Sequence, residues 1–323
     1  MDALFGALPI LLLLFFLLSR QLSAQARHRD LVEAFSKLQR KRKSKIIAVV
    51  HRQEAMGLLG VPSLSYIDLN DAEEILEAIR QTPSDKPLEF ILHTPGGLVL
   101  PALQIARAIK AHPAKTTVFV PHYAMSGGTL IAMAADEIVL SQHAVLGPID
   151  PQIGGLPAAS VVRVAQEKPI QSTDDYTLVL ADLGAMAIRQ LQDAAQELLT
   201  GTVSQNAAIS IAEQLTSGRW THDHPITYAQ ANELGFNVRQ DMPPGILALM
   251  GLFPDGVSRQ KNVKYIRENT AKTRAAKSAQ VPHPEPKVTM TGFEPMPGAR
   301  SFSFGPWNSK ELQNQTPPRD EPR

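Results

Sequence analysis

The chain contains no cysteine among its 323 residues. This absence excludes disulfide bonds, thiolate nucleophiles and zinc sites built on cysteine. An excess of charge of one sign is also lacking, since 32 lysines and arginines nearly balance 31 aspartates and glutamates. A net charge of +1 gives no reason to expect a nucleic-acid partner. What remains is an apolar fraction of 44%, which is typical of a globular protein with a real core.

Charged side chains are missing from residues 3–19, a run that includes eight consecutive leucines and phenylalanines. As a helix this run spans about 25 Å, slightly less than a bilayer core of ~30 Å, and the flanking residues extend it. We therefore predict a transmembrane anchor over residues 1–20. Because basic residues follow the run rather than precede it, the rest of the chain is expected on the cytoplasmic side of an inner membrane. A cleaved signal peptide is the alternative, since Ala24-Gln25-Ala26 resembles a cleavage site.

The remainder of the sequence divides into three parts. Residues 21–44 form a basic juxtamembrane segment that is able to contact anionic headgroups. Residues 45–271 begin with alternating strand and helix patterns and end in helical ones, which predicts an α/β domain with mostly parallel strands and a helical C-terminal half. Residues 272–323 are rich in proline and lack periodicity, so we predict a mostly disordered tail.

Two glycine-rich turns, about thirty residues apart, each follow an apolar strand and open a helix. The first is His93-Thr94-Pro95-Gly96-Gly97 and the second is Ala124-Met125-Ser126-Gly127-Gly128. Such turns can bring backbone N–H groups and a serine hydroxyl to one carbonyl group, as acyl transfer requires. Each turn alone is equally compatible with a purely structural role, as a helix N-cap or a turn with positive φ.

Taken together, the two turns resemble those of the Clp-protease and signal peptide peptidase A superfamily, whose spiral β-α fold is shared with crotonases. The segment from Leu215 to Ile226 resembles, more narrowly, the membrane-associated serine dehydrogenase proteinase group of Clp-fold serine proteases. The resemblance implies a membrane-anchored serine endopeptidase without cofactor or metal. It also implies that Ser126 is the nucleophile and that the N–H groups of Gly97 and Gly127 form an oxyanion hole.

The proton acceptor is harder to identify. Clp proteases carry a histidine about 25 residues after the serine, and no histidine occupies residues 145–152. Signal peptide peptidases use lysine instead, and Lys168 is the only lysine between Lys115 and Lys261. The resemblance therefore implies a Ser126–Lys168 dyad, in which nearby apolar side chains lower the pKa of Lys168 by burying it.

Several other side chains stay open as candidates. His122 and His143 are the next choices for the base, and His222-Asp223-His224 has a metal-like spacing without a third ligand. Gly96, Leu98 and Val99 are expected to contact a peptide or protein substrate, in part through strand pairing. The remaining polar candidates are His93, expected to shape the first turn, and Asp150, expected to orient a polar group or cap a turn.

Two other functions fit parts of the sequence. A crotonase-like acyl-CoA enzyme would share the oxyanion pair but would need carboxylates, and the helix after Ser126 offers only Asp136 and Glu137. A non-catalytic membrane scaffold would retain the fold and its interfaces. Clp-fold proteins generally assemble, so the resemblance also implies a homo-oligomer in each case.

Overall fold

The computed structural model describes residues 2–51, 65–253 and 263–265. The tail predicted over residues 272–323 therefore lies outside the described residues. The helices within these ranges are α1 (Asp2–Arg42), α2 (Leu69–Arg80), α3 (Val99–Lys110), α4 (Gly127–Met133), α5 (Ala158–Glu167), α6 (Asp175–Leu199), α7 (Gln205–Thr216), α8 (Tyr228–Leu234) and α9 (Pro244–Met250). The strands are β1 (Lys45–Val50), β2 (Leu88–His93), β3 (Thr116–Val120), β4 (Tyr123–Ala124), β5 (Glu137–Leu140), β6 (Val145–Leu146), β7 (Gln152–Ile153), β8 (Leu156–Pro157), β9 (Val238–Arg239) and β10 (Val263–Tyr265).

A six-stranded sheet with the order β10-β1-β2-β3-β5-β9 forms the centre of the fold. All neighbours in this sheet are parallel except β10, which runs antiparallel to β1. Two small ribbons lie outside it: β4 pairs with β6 in parallel, and β7 pairs with β8 in antiparallel orientation. The sheet confirms the predicted α/β class with mostly parallel strands.

Two hydrophobic cores cover the two faces of this sheet, as the alternation of side chains along β1 shows. Ile47 and Val49 point into the larger core with α2, α3, α4, α6 and α7, whereas Ile46, Ala48 and Val50 point into the smaller one with α1 and α9. Strands that are buried on both faces read as continuous apolar runs, and this is why β1, β2 and β3 were recognisable in the sequence. Polar side chains are consequently concentrated where these strands end.

Helix α1 is continuous across the boundary predicted between an anchor and a juxtamembrane segment. Its C-terminal part belongs to the fold, because Leu31 and Phe35 are buried against the sheet and the Arg42 guanidinium donates to Glu89 at 2.6 Å. The side chains of residues 1–14, which make up most of the predicted anchor, are outside those described. Within the part of the chain that is described, no helix is sufficiently long and apolar to cross a bilayer. The anchor stays a prediction.

The helical C-terminal half is confirmed, and its longest helix is Asp175–Leu199. Helix α8 ends at Gly235, whose φ of +100° suits glycine. Helix α2 begins at Leu69 after the N-cap Asp68. The β7–β8 ribbon, α5 and α9 were not predicted, because they are short and their apolar periodicity is weak.

Candidate active site

The two glycine turns lie side by side because β2 and β3 are parallel neighbours whose carboxyl ends meet at one edge of the sheet. Thr94, directly after β2, joins them through its backbone. Its N–H donates to the carbonyl of Tyr123 at 3.1 Å, and its carbonyl accepts from the N–H of Met125 at 3.0 Å. Strand β4 also pairs with β6, which fixes the second turn from its other side.

Gly96 forms the closest contact between the two turns. A Cβ at this position would lie 2.7 Å from the carbonyl oxygen of Met125 and 2.8 Å from the Cβ of Ser126. Its φ of +106° is also unfavourable for any residue with a side chain. The first turn can therefore approach the serine only with glycine at this position.

Ser126 occupies a strained strand-to-helix turn. Its φ of 48° and ψ of −117° place a non-glycine residue in a sparsely populated region, and its side chain makes no capping hydrogen bond. Backbone strain of this kind costs about 1–3 kcal/mol and concentrates at functional sites. A serine on a sharp turn between a strand and a helix is also the arrangement that exposes a nucleophilic hydroxyl in other hydrolases. Ser126 therefore does not serve as a side-chain cap of α4.

Two backbone N–H groups lie beside Ser126. The N–H groups of Gly97 and Gly127 donate to no acceptor within the described ranges, although their neighbours Gly96, Leu98 and Gly128 all donate. The two amides are close, since the nitrogen of Gly97 lies 3.4 Å from the position that a Cβ on Gly127 would occupy. Two neighbouring donors beside a serine hydroxyl are what the stabilisation of a tetrahedral oxyanion requires.

The residues after Gly97 differ from the expectation of a substrate-pairing strand. Leu98 is the N-cap of α3 and Val99 is its first residue. The extended backbone here is already paired with Ile67, which donates to the carbonyl of Gly96 at 2.8 Å and accepts from the N–H of Leu98 at 3.0 Å. The side chains of Leu98 and Val99 are exposed to 50% and 45%, so apolar contact with a substrate stays a prediction.

Lys168 lies at the C-terminal end of α5, where its N–H donates to the carbonyl of Val164 at 3.0 Å. Its side chain is exposed, and it makes no hydrogen bond to Ser126 among the described residues. Of the apolar neighbours expected to bury it, Val164 at 43% and Ile170 at 67% are exposed, whereas Val161 is buried. Within one chain, therefore, the Lys168 side chain remains open to solvent.

His222 and Asp150 form a hydrogen-bonded pair that sequence reasoning did not connect. The Nδ1 of His222 lies 2.8 Å from a carboxylate oxygen of Asp150, whose other oxygen accepts from Gln152 at 2.6 Å. This bond to Asp150 raises the pKa of His222 above its ordinary value, and burial opposes the shift. Asp150 follows Gly147 closely in sequence, and the backbone of Gly147 contacts both Thr129 and Met125 beside the serine turn.

The remaining histidines have other surroundings. His93 packs against the rings of His122 and Tyr123, with centroids 5.3 Å and 4.3 Å away, which agrees with a role in shaping the first turn. His143 is exposed. His224 stacks on Trp220 while His222 faces Asp150, so the two do not converge on one point. In the described ranges, no group of three or more potential ligands could hold a metal ion.

A buried polar chain beneath the first turn was missed in the sequence. Asp71, His51 and Thr94 are joined in that order: the Nε2 of His51 is 3.2 Å from Asp71, and its Nδ1 is 2.7 Å from the Thr94 hydroxyl. The available signal was the position of His51, directly after a buried strand that neighbours β2 in the sheet. Parallel strands end at the same edge, so His51 and Thr94 should have been expected to meet there.

Comparison with known proteins gives three results. A family profile described as "ClpP-like SDH-type serine proteinase" matches residues 1–280. The uncharacterized protein MJ0137 of Methanocaldococcus jannaschii is 46% identical over 281 residues, covering 84% of this chain and 98% of its own length. A second uncharacterized protein from that organism, MJ1495, is 46% identical over 243 residues, covering 75% of this chain and 83% of its own length.

Among solved structures, ClpP1 from Listeria monocytogenes aligns with a TM-score of 0.38 and 14% identity, covering 61% of this chain and 92% of that one. The profile match extends from α1 through the sheet, both glycine turns and α9. The chain therefore belongs to the ClpP-like SDH-type serine proteinase family.

Proposed function

We propose that this protein is a serine endopeptidase in which Ser126 is the nucleophile. The observation that carries this proposal is the strained backbone of Ser126 beside the N–H groups of Gly97 and Gly127, which have no acceptor among the residues that the structure describes. Strain at the nucleophile holds its hydroxyl clear of the helix that follows. Two such donors next to a serine hydroxyl suit the oxyanion of an acyl-transfer reaction.

The reaction follows from these positions. The Ser126 hydroxyl attacks the carbonyl carbon of the scissile peptide bond and gives its proton to a base, while the carbonyl oxygen becomes an oxyanion held by Gly97 and Gly127. The base returns the proton to the leaving amine as the C–N bond breaks, which leaves an acyl-enzyme. Water then attacks the ester, gives its proton to the same base, and releases the carboxylic acid as Ser126 regains its hydrogen.

We propose Lys168 as the base in an assembled form of the protein. The α5–α6 hairpin that carries Lys168 exposes large apolar side chains, which is unusual for a surface that remains in water. Their exposed fractions range from 43% to 69% for Val164, Ile170, Tyr176, Val179 and Leu183. A second copy of the chain that covers this hairpin would bury these groups and desolvate Lys168 at the same time. The proposed homo-oligomer and the proposed neutral lysine base therefore depend on the same contact between two copies.

His222 is a competing candidate for the base, since its ring is oriented within one chain by Asp150. His222 is held at Nδ1 by the carboxylate of Asp150, which is 1% exposed, and the side chain of His222 is 37% exposed. An imidazole oriented by a buried carboxylate, with its second nitrogen available, is the arrangement of a general base. Because His222 needs no partner copy, the two candidates predict different behaviour in the monomer.

We also propose that residues 1–20 anchor the protein in a membrane. Support comes from α1, whose exposed side chains include Phe15 at 71% and Leu22 at 58%. A leucine- and phenylalanine-rich helix end whose described apolar side chains are exposed is expected to favour an apolar environment. Sedimentation of the full chain with liposomes, against a variant carrying Leu12→Arg and Leu17→Arg, tests this. Equal sedimentation of both proteins would overturn the anchor.

The peptidase proposal is tested by labelling the full-length protein with a fluorophosphonate probe. We expect labelling of the wild type, none of Ser126→Ala, and normal folding of both by circular dichroism. Loss in Lys168→Ala but not in His222→Ala identifies the lysine, and the opposite result identifies the histidine. Val179→Glu, which charges the α5–α6 hairpin, should reduce oligomer mass in light scattering and abolish labelling only if Lys168 is the base.

Two results would contradict the proposal. Folded, assembled wild type without labelling or peptide cleavage would favour a non-catalytic scaffold. Binding of a CoA thioester in calorimetry, undiminished in Ser126→Ala, would favour an acyl-CoA enzyme that uses only the oxyanion pair.

A further inference from the structure

We propose that His51 and Asp71 are positioning residues that set the first glycine turn against the serine turn, acting through Thr94. The inference rests on the proposed function, because it concerns the accuracy of the oxyanion hole. None of the three side chains is available to substrate: His51 and Thr94 are fully buried and Asp71 is 7% exposed. Their role is therefore to hold other groups in place.

Hydrogen bonds join His51 to Asp71 on one side and to Thr94 on the other. A carboxylate only accepts, so the Nε2–H of His51 donates to Asp71 Oδ2 at 3.2 Å, and that oxygen also accepts from the N–H of Asp68. The Nδ1 of His51 lies 2.7 Å from the Thr94 hydroxyl oxygen. That oxygen also accepts from the N–H of Gly96 at 3.2 Å and lies 3.3 Å from the Gly96 carbonyl oxygen. The Thr94 hydroxyl is thus held between His51 and Gly96.

Thr94 transmits this constraint to both turns. Its backbone is bonded on either side of Ala124, at the start of the serine turn, to the carbonyl of Tyr123 and to the N–H of Met125. Its methyl group lies 2.7 Å from the position that a Cβ on Gly128 would take. Its hydroxyl, at the same time, holds Gly96, the residue before the proposed donor Gly97. Rotation of the Thr94 side chain would therefore shift the donor relative to Ser126.

The side chains of His51, Asp71 and Thr94 are buried, so the hydrogen bonds between them are coupled to one another. An unpaired polar group costs more in a site of low dielectric, and a network whose members are all satisfied favours a single geometry. Asp71 is also the third residue of a capping box, in which the Asp68 side chain accepts from the N–H of Asp71 at 2.9 Å. Asp71 is thus fixed to the first turn of α2 and cannot move independently of that helix.

The test compares two variants of the full-length protein, one that lacks the Thr94 hydroxyl and one that retains it. Thr94→Val retains the shape of the side chain and removes the acceptor for Gly96, whereas Thr94→Ser retains the hydroxyl. We expect Thr94→Val to lower kcat about 10- to 100-fold with KM nearly unchanged, because a small misplacement of an oxyanion donor acts on the transition state. Thr94→Ser should retain kcat within about threefold. Active-site titration corrects both values for any unfolded fraction.

A purely structural role predicts another result, in which both variants lose stability but each folded molecule turns over at the wild-type rate. That result would overturn the proposal. A second readout does not depend on catalysis: nitrogen NMR of the His51 ring should show a hydrogen bond at Nδ1 in wild type and Thr94→Ser, and the loss of that bond in Thr94→Val. An Nδ1 that is unaffected by Thr94→Val would also overturn it. If the wild type has no peptidase activity but the NMR result is as expected, the peptidase proposal fails, whereas the hydrogen bonds that join Asp71, His51 and Thr94 are confirmed.

Discussion

Replacing Gly96 with alanine tests whether the two glycine turns form one site. The added Cβ would meet the carbonyl oxygen of Met125 at 2.7 Å, the Cβ of Ser126 at 2.8 Å and the nitrogen of Gly127 at 3.0 Å. Two of these atoms belong to backbone and cannot rotate away. Either the first turn withdraws from the serine or the serine turn itself is displaced.

The cost has two parts. A side chain at a φ of +106° forces a strained backbone, which costs about 1–3 kcal/mol. Overpacking a close-packed site adds about 1–3 kcal/mol. We therefore expect the free energy of unfolding to fall by about 2–6 kcal/mol. A displacement of about 1 Å between Ser126 and the donors lowers kcat about 100-fold in the molecules that remain folded.

Gly201→Ala is the matched control. Its φ of +79° is also positive, but a Cβ there meets nothing within 4 Å. For Gly201→Ala the free energy of unfolding should fall by only about 1–2 kcal/mol, from backbone strain alone, and activity should be fully retained. Urea unfolding followed by tryptophan fluorescence and the rate of fluorophosphonate labelling measure the two effects. Equal stability losses in the two variants, with labelling intact in Gly96→Ala, would refute the proposed contact.

Three further predictions follow from individual residues. Ser126→Gly should be more stable than Ser126→Ala by about 1 kcal/mol, because only glycine relieves the strain at a φ of 48°; urea unfolding measures this, and a less stable glycine variant would contradict the strained turn. The hydrogen bond to Asp150 raises the pKa of His222 above 6.5. A raised folded-state pKa contributes stability that is complete below the unfolded-state pKa and is lost as the pH rises through the folded-state value. The difference in unfolding free energy between wild type and His222→Gln should therefore narrow as the pH rises above about 6.5, and a difference that is constant with pH would contradict the charged pair. Glu197→Gln should lower the free energy of unfolding by less than about 1 kcal/mol, and by less still at high salt, because the Arg107–Glu197 pair is about half exposed. Urea unfolding at two salt concentrations measures this, and a loss of several kcal/mol would contradict a weak surface contact between α3 and α6.

The sequence was sufficient for the four central strands of the sheet and for the longest helices, because their burial produces a recognisable apolar pattern. Strands β1, β2 and β3 are apolar on both faces, and α6 keeps its apolar set over 25 residues. The edge strands β9 and β10 and short elements such as β7, β8 and α5 have too few residues to show such a pattern.

The site was predictable in part for a similar reason. The glycines at positions 96 and 127 and the serine at position 126 are local requirements of two turns, and both turns follow recognisable strands. The pairing of Asp150 with His222, 72 residues apart, was not predictable. Nor was the burial of His51 against Asp71, since both partners are ordinary in sequence and acquire their role only when β1, β2 and α2 pack together.

The most direct test of the account is to locate the covalent adduct on full-length protein treated with a fluorophosphonate probe. Peptide mass spectrometry should find the adduct on Ser126 and on no other residue, and the reaction should disappear in urea, where the turn is lost. An adduct on another serine, or no adduct on the folded protein, would contradict the assignment of Ser126 as the nucleophile.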